Sequence, residues 1–290
     1  MLIRTLKQLF YGIAQKQLKS QDNRLTADLQ ATLPARSIPT LDRVASFFFP
    51  AFWDISDRDR FSQAVRDLIE LMPHGYHASD NFITWGRNNS MFDDQVFVKS
   101  WESNIESPSD RGIVWRRYIL ATAAFHCVQL DGEFVECGAY TGVGIKTVMD
   151  YLGGNRFPKQ FWAYDVFQHQ DGMENMPMPD VGAGLFERVT SKFSGYPQVR
   201  IIKGLIPKSF EGNCPERIAY LHIDLNQASA EIAALDHLFD RVVPGGMIIL
   251  DDYEWSGIYR PQKLVEDEWF DSRGYRVMPL PTGQGMVMKR

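Results

Sequence analysis

Three aspartates close two short apolar runs. Asp224 ends "YLHID", and Asp251 with Asp252 ends "GGMIILDD", 27 and 28 residues later. Both runs are β-rich, and neighbouring parallel strands lie about 4.8 Å apart, so carboxylates at their ends converge. Gathered carboxylates repel one another unless a proton or a cation intervenes, and an all-oxygen donor set suits Mg²⁺ or a similar hard divalent ion. Taken singly, Asp251 and Asp252 read equally as turn residues, and Asp224 as the cap of a helix starting near Ala228. A second constellation lies upstream. "FVECGAYTGVG", residues 134–144, sets Glu136, Gly138, Gly142 and Gly144 between an apolar run and a helical stretch, "VGIKTVMDYL". Glycine in a strand-to-helix turn admits positive φ and close approach of a ligand, in the crevice beyond the carboxyl ends of a parallel sheet. Asp165, in "FWAYDVF", follows Gly138 by 27 residues and ends the next β-rich run. A carboxylate there can accept from both hydroxyls of a ribose. Loop and acid in this order point to a cofactor that contains a nucleoside.

Holding these groups together requires a sheet. Residues 133–136, 161–164, 199–203, 218–223 and 247–250 read as five strands. Helical stretches fall between them: "GLFERVTSKFSG" after the second, "ASAEIAALDHLFD" after the fourth, and "PQKLVEDEWFDSRG" after the fifth, with Pro261 in its first turn. "YRVMPL" and "GMVMKR" flank the turn signal "PTGQ" and predict a closing antiparallel hairpin. Residues 111–290 are thus expected to form an α/β domain with a mostly parallel sheet. Residues 1–110 are expected to form a helical extension, from "TLDRVASFFFPAFW" and "RDRFSQAVRDLIELMP" to the polar "DNFITWGRNNSMFDDQ". In the first twenty residues, Leu2, Ile3, Leu6, Leu9, Phe10 and Ile13 recur at helical spacing beside Arg4, Lys7, Lys16 and Lys19. That amphipathic pattern suits docking on the body, on a second subunit in a homodimer, or on an anionic membrane surface.

The whole chain narrows the function. Its 290 residues, 44% hydrophobic and 23% charged, suffice for a full core. A net charge of -5 without a Lys/Arg run leaves no electrostatic footprint for nucleic acid. Cys127, Cys137 and Cys214 form no Cys-x-x-Cys pair, which argues against a zinc site or disulfide frame and for a reducing, cytoplasmic setting. No run approaches the roughly 18 apolar residues of a membrane span.

The spacing Gly138-x-x-x-Gly142-x-Gly144 behind Glu136 departs from the dinucleotide fingerprint Gly-x-Gly-x-x-Gly. It resembles the class I S-adenosylmethionine-dependent methyltransferases. The resemblance implies a Rossmann-like sheet and a cofactor set of Glu136, Cys137, Gly138, Ala139, Tyr140 and Gly142, with Asp165 and Val166 at the ribose and Gly204 and Leu205 after the third strand. The three aspartates add a resemblance to metal-dependent O-methyltransferases, most closely the macrocin O-methyltransferase family, which methylates sugar hydroxyls on macrolide and aminocoumarin glycosides. "VPGGMIILDDY" matches that family's pattern, and the likeness extends over roughly residues 112–289. It implies a divalent ion, Mg²⁺ or similar, held by Asp224, Asp251 and Asp252, with Asp224 and Asp252 as catalytic residues and a sugar, glycoside or polysaccharide as acceptor. Two departures stand out. The family's Asp-Gly-Asp-Leu-Tyr becomes Asp224-Leu225-Asn226-Gln227-Ala228, and Gln227 stands where catechol-type enzymes carry a catalytic lysine.

Two other functions stay open: a non-catalytic binding or assembly protein that keeps the cofactor fold, and a short-chain dehydrogenase dependent on NAD(P). The second has one formal match in Tyr259-x-x-x-Lys263, interrupted by Pro261. Weaker signals are His222 on the strand face of Asp224, His169 in "FQHQDGMENMPMPD", the turn "LPTGQG", and Trp85, Asn88, Asn89 and Asp93 as sugar-binding types.

Overall fold

A computed structural model of the chain describes residues 44–72, 74–169, 173 and 178–290. These residues belong to one compact unit. The amphipathic helix expected in the first twenty residues lies outside the described residues, as does most of the Met- and Pro-rich loop after His169. No helix among the described residues is long and apolar enough to cross a membrane.

The segment before residue 110 is not purely helical. Strand β1, Phe47–Phe48, pairs in parallel with β2, His77–Ser79, which turns back into antiparallel β3, Phe82–Thr84. Strands of two or three residues leave no alternation to read, so the sequence gives no sign of this sheet. The β2–β3 turn is Asp80-Asn81, with φ of +54° and +53°. A two-residue hairpin of this kind needs the left-handed region twice, and Asp and Asn tolerate it better than other side chains. Helices α1 (Arg58–Glu70) and α2 (Gln95–Glu102) start on Asp57 and Asp94, whose carboxylates accept from Arg60 N and Phe97 N. The short α3, Pro108–Gly112, opens on a Ser107/Asp110 capping box and leads into α4, Val114–Cys127.

The main sheet has seven strands in the order β6-β5-β4-β7-β8-β10-β9. They are β4 (Glu133–Cys137), β5 (Phe161–Asp165), β6 (Val199–Lys203), β7 (Ile218–Ile223), β8 (Val242–Leu250), β9 (Met278–Pro279) and β10 (Gly285–Met288). The first five are parallel, while β10 runs antiparallel to both β8 and β9. Helices α5 (Val143–Tyr151), α6 (Leu185–Lys192), α7 (Ala228–Leu238) and α8 (Arg260–Asp271) complete the crossovers. All six residues of β7 are buried, as befits a central strand covered on both faces. Strand β8 begins five residues earlier than position 247. Pro244-Gly245-Gly246 reads as a turn, yet it forms an irregularity inside the strand, where the register with β7 shifts between Ile218 and Tyr220.

The chain lays β4, β5 and β6 in one direction and then crosses back to set β7 on the other flank of β4. The switch between β4 and β7 opens a crevice at their carboxyl ends. Under it lies a core of Val135, Leu221, Ile223, Ile248 and Leu250 from the sheet with Leu235, Leu238 and Phe270 from α7 and α8. Burying each such side chain stabilises the fold by about 1.5–3 kcal/mol.

The glycines after β4 are demanded first by the protein itself. Gly138 has φ of +96°, and a Cβ built there would overlap the Asp224 carbonyl. Across the same contact Asp224 N donates to Cys137 O at 2.8 Å, which locks the end of β4 to the end of β7. A Cβ at Gly142 would meet the Phe193 ring at 2.7 Å, and one at Gly144 would meet Arg117 Nη1 at 2.5 Å.

Behind the β7 end, Glu231 in the first turn of α7 accepts from Leu225 N at 2.9 Å and so holds the segment after Asp224. Glu231 lies beside Glu266 of α8, and both are fully buried. Burial pushes Glu231 up to about 7, and burial with Glu231 beside it pushes Glu266 up to about 10. The folded chain therefore keeps protons that the unfolded chain releases from about pH 4.5 upward. The stability these protonated acids contribute is present at acid pH and drains away as pH rises toward the folded values.

Gly138→Ala is expected to cost about 2–4 kcal/mol, from left-handed strain plus overlap with backbone that cannot yield; equilibrium unfolding in urea measures it. Glu266→Gln removes one titrating group while keeping its shape. Its midpoint for thermal unfolding, relative to the parent, should rise between pH 5 and pH 8, reaching about 1 kcal/mol or more in its favour at pH 8.

Candidate active site

Alternation along adjacent strands sets a polar row beneath the crevice. Glu136 of β4 and His222 of β7 are register partners. His222 faces Ile249 of β8, and Asp251, two residues on, emerges on the same face. Glu136 Oε2 lies 3.0 Å from His222 Nδ1, and His222 Nε2 lies 3.4 Å from Asp251 Oδ1. Gln284, just before β10, extends the row by donating to Asp251 Oδ1 at 2.8 Å and is itself held by Thr282. Burial alone would lower His222, but Glu136 and Asp251 on either side outweigh it and push the imidazole up to about 10. That surrounding charge favours the imidazolium form, in which both ring nitrogens donate.

Arg116 stands above this row. It sits in the first turn of α4, which packs across β7 and β8. Its Nη1 donates to Asp251 Oδ2 at 2.7 Å and to Asp252 Oδ1 at 3.0 Å. On its other side Nε and Nη2 grip Asp80 in a bidentate pair at 2.8 and 3.1 Å. Asp80 is steadied in turn by Trp53 Nε1 at 3.1 Å, and the Trp255 ring lies 5.2 Å from the guanidinium carbon. Arg116 is 8% exposed, so these are buried, charge-assisted bonds.

The three aspartates end in different electrostatic states. Burial works to raise Asp251, but Arg116, His222 and Gln284 together hold it far below the usual carboxylate range. Asp252 is pushed by burial, with Asp251 adding, up to about 6 against the pull of Arg116. Asp224 is raised well above its ordinary value by burial and by both neighbouring aspartates. It is partly exposed, and its Oδ1 accepts from Asn226 Nδ2 at 3.2 Å. Three identical side chains thus meet different surroundings: the neighbours of Asp251 favour its anion, while burial and neighbouring charge favour a proton on Asp252 and Asp224.

The fit of a divalent ion can be tested on this donor set. His222, Asp224 and Asp251 do offer ligand atoms within 4.8 Å of one another. Both oxygens of Asp251, however, already accept from N–H donors, Gln284 and Arg116, while Arg116 also takes Asp252. Both ring nitrogens of His222 already face carboxylates, Glu136 at 3.0 Å and Asp251 at 3.4 Å. As folded, the set does not fit an ion bridging Asp251 and Asp252: the expectation was a divalent metal, and a guanidinium of the chain stands against these two carboxylates instead, with Asp224 left partly exposed.

On the cofactor side, Asp165 ends β5. Its two oxygens accept from Tyr140 N at 2.7 Å and Phe167 N at 2.6 Å, which ties it to the glycine loop and leaves a lone pair on each. Gly138 N and Ala139 N donate to Tyr164 O at 2.8 and 3.2 Å, and Tyr140 turns at φ of +46°. Gly204 N bonds Asp165 O at 2.9 Å, so Gly204 and the half-exposed Leu205 edge the same crevice beside Val166. Glu136 and Cys137 are buried under the loop rather than lining it.

Other sequence candidates fall elsewhere. Asn89 is buried and spends its Nδ2 on Ala45 O and Tyr76 O, a structural tie at 2.7 and 3.0 Å. Trp85, Asn88 and His169 are exposed. Tyr259 lies in the turn before α8, and Lys263 pairs with Glu254 and Asp267 at 3.0 and 3.3 Å. "LPTGQG" places Gln284 in the acid cluster. Arg116 and Asp80 had no sequence prediction; the signal for Arg116 was a basic pair in the apolar "GIVWRRYIL" together with the uncompensated charge of three aspartates.

A model of the family described as macrocin O-methyltransferase (TylF) matches residues 120–267, which is 148 of the 290 residues. A curated relative from Streptomyces olivaceus, 8-demethyl-8-(2,3-dimethoxy-alpha-L-rhamnosyl)-tetracenomycin-C 4'-O-methyltransferase, is 25% identical over 150 residues, covering 43% of this chain and 54% of the relative. The chain therefore spans about half the length of that relative. Among solved structures, the O-methyltransferase NovP aligns with a TM-score of 0.52 at 18% identity, over 61% of this chain and 80% of its own. The calicheamicin methyltransferase CalS11 aligns at 0.52 and 12% identity, over 82% and 95%. Both likenesses show the Rossmann-like class I fold, with its parallel sheet and antiparallel closing hairpin. With more than half of its length matched, from α4 through α8, the chain belongs to the macrocin O-methyltransferase (TylF) family.

Proposed function

We propose that this chain is an S-adenosylmethionine-dependent O-methyltransferase whose acceptor is a hydroxyl of a sugar or glycoside. Family membership supports the reaction and the cofactor, and the relative from Streptomyces olivaceus, named for methylating a 4'-oxygen, supports an acceptor on a glycoside. One observation carries the reading. Asp224, a partly exposed carboxyl at the end of β7, is hydrogen-bonded through its own N–H to Cys137 O, on the strand that leads into the cofactor loop. A proton acceptor and a nucleoside-binding acid thus flank one glycine turn at the switch point of the sheet.

In this reading Gly138, Ala139, Tyr140, Gly142, Asp165, Val166, Gly204 and Leu205 line the cofactor site. Asp165 takes the ribose hydroxyls on its two remaining lone pairs, and Glu136 and Cys137 support the loop from beneath. The cofactor supplies an electrophilic methyl on a sulfonium. Held there, the cofactor would supply the methyl group to the acceptor oxygen and retain the sulfur electron pair as the thioether product, and Asp224 would take the acceptor proton. An alcohol is almost wholly protonated at neutral pH, so a positioned base contributes about 10²–10⁴ in rate. Asp252, held by Arg116, stands beside Asp224 and keeps its proton affinity high. The imidazolium and guanidinium nearby keep the ionised form of Asp224 within reach. Since the donor set does not fit an ion, no step passes through one.

Calorimetry should show S-adenosylmethionine binding to the full chain, and Asp165→Ala should weaken it about 100-fold or more, the worth of two hydrogen bonds to a charged acceptor at about 1.5–3 kcal/mol each; no binding by the parent chain would overturn the methyltransferase reading. Asp224→Asn should lower the turnover number about 10²-fold or more on any sugar nucleotide or glycoside accepted from a panel, with cofactor affinity kept within about threefold. An unchanged turnover number would remove Asp224 as the base.

A further inference from the structure

The acid cluster contains a feature that methyl transfer does not by itself require. Arg116 is buried, spends four hydrogen bonds on three carboxylates, and comes from a different element than any of them. Asp251 and Asp252 follow β8, Asp80 lies in the β2–β3 turn, and Arg116 opens α4. Its Nη1 is shared between Asp251 and Asp252, the position from which an ion would bridge them. Gln284 and His222 occupy the other oxygen of Asp251 from below. An ion entering would have to displace the guanidinium, leaving it buried against Asp80 alone, and would then face its charge at close range.

We propose that Arg116 is the resident cation of the acceptor site, seated between Asp251 and Asp252 in place of a divalent metal, and that the chain performs its chemistry without one. The statement about chemistry rests on the methyltransferase reading; the statement about occupancy does not. A guanidinium balances the carboxylates as an ion would but offers no open coordination position. The acceptor hydroxyl is therefore not chelated, and its proton goes directly to Asp224. Selection among acceptors falls to shape and hydrogen bonding around Asp224, not to a pair of adjacent hydroxyls that grip a metal.

Mn²⁺ is the probe, followed by the electron paramagnetic resonance of the free ion, with the full chain titrated in the presence and absence of S-adenosylmethionine. The parent chain should bind Mn²⁺ no more tightly than about 1 mM, a concentration at which exposed carboxylates bind divalent ions weakly. Arg116→Ala, by vacating the place, should gain at least about tenfold in Mn²⁺ affinity, and Asp251→Asn in that background should cancel the gain. Arg116→Gln repeats the test with a neutral side chain that still fills the space and hydrogen-bonds, should the alanine variant fail to fold. Micromolar binding by the parent chain that Asp251→Asn abolishes would overturn the proposal, as would a soluble, folded Arg116 variant with no gain. Cofactor binding is read in the same samples by calorimetry. Its loss would sink the methyltransferase reading while leaving the Mn²⁺ result to decide the seat of Arg116. Where an acceptor is found, EDTA should change turnover by less than about twofold, against the 10–100-fold loss typical when a metal site is disturbed.

Discussion

The buried guanidinium of Arg116 is the interaction around which the site is built. Three carboxylates from two distant stretches of chain would repel one another if left without a counter-charge, and one planar cation with a forked donor pattern holds all three. Removing one partner of such a buried cluster typically costs about 3–5 kcal/mol, because the charges left behind have no solvent to turn to. The cluster therefore does not tolerate piecemeal change. Its geometry is set by α4 on one side and by the end of β8 and the β2–β3 turn on the other, so helix packing and strand placement are both expressed in the position of a single side chain.

Beneath the guanidinium, the row Glu136, His222, Asp251 and Gln284 runs across four neighbouring strands. Charge alternates along it, from carboxylate to imidazolium to carboxylate, ending on a neutral amide. Such a row is demanding, since each member depends on the next for its desolvation to be repaid. What it contributes is unequal basicity. Asp251 is pinned as an anion, and Asp224, one position beyond the row, is left with neighbours that favour a proton on it. Two identical side chains are driven apart in function by which of them meets the cations.

The α/β domain was legible to a large extent. The strands at residues 199–203 and 218–223 have the predicted boundaries, because each is a short apolar run with clear turn residues at its ends. The hairpin at the carboxyl end followed from turn chemistry, and Asp165 and Asp224 stand at strand ends as expected. Proline and two glycines hid the first half of β8, since an irregular strand and a turn share a composition. The small sheet before residue 110 was invisible because its strands are too short to carry a period. Arg116 escaped for a different reason. Its partners are 36, 135 and 136 residues away, and no local pattern records a charge pair closed by the fold. The sequence required a positive charge at the aspartates and could not say whether it would come from solution or from the chain.

The β2–β3 hairpin carries a consequence that reaches past its size. Its turn residue Asp80 supplies the bidentate half of the grip on Arg116, so the segment ahead of the main sheet is electrostatically part of the acid cluster. The cluster is therefore not confined to residues 111–290: that stretch holds the aspartates and the arginine but, without Asp80, would leave the arginine half-held. A change at the hairpin tip is thus felt at Asp251 and Asp252, through the one guanidinium that all three acids share.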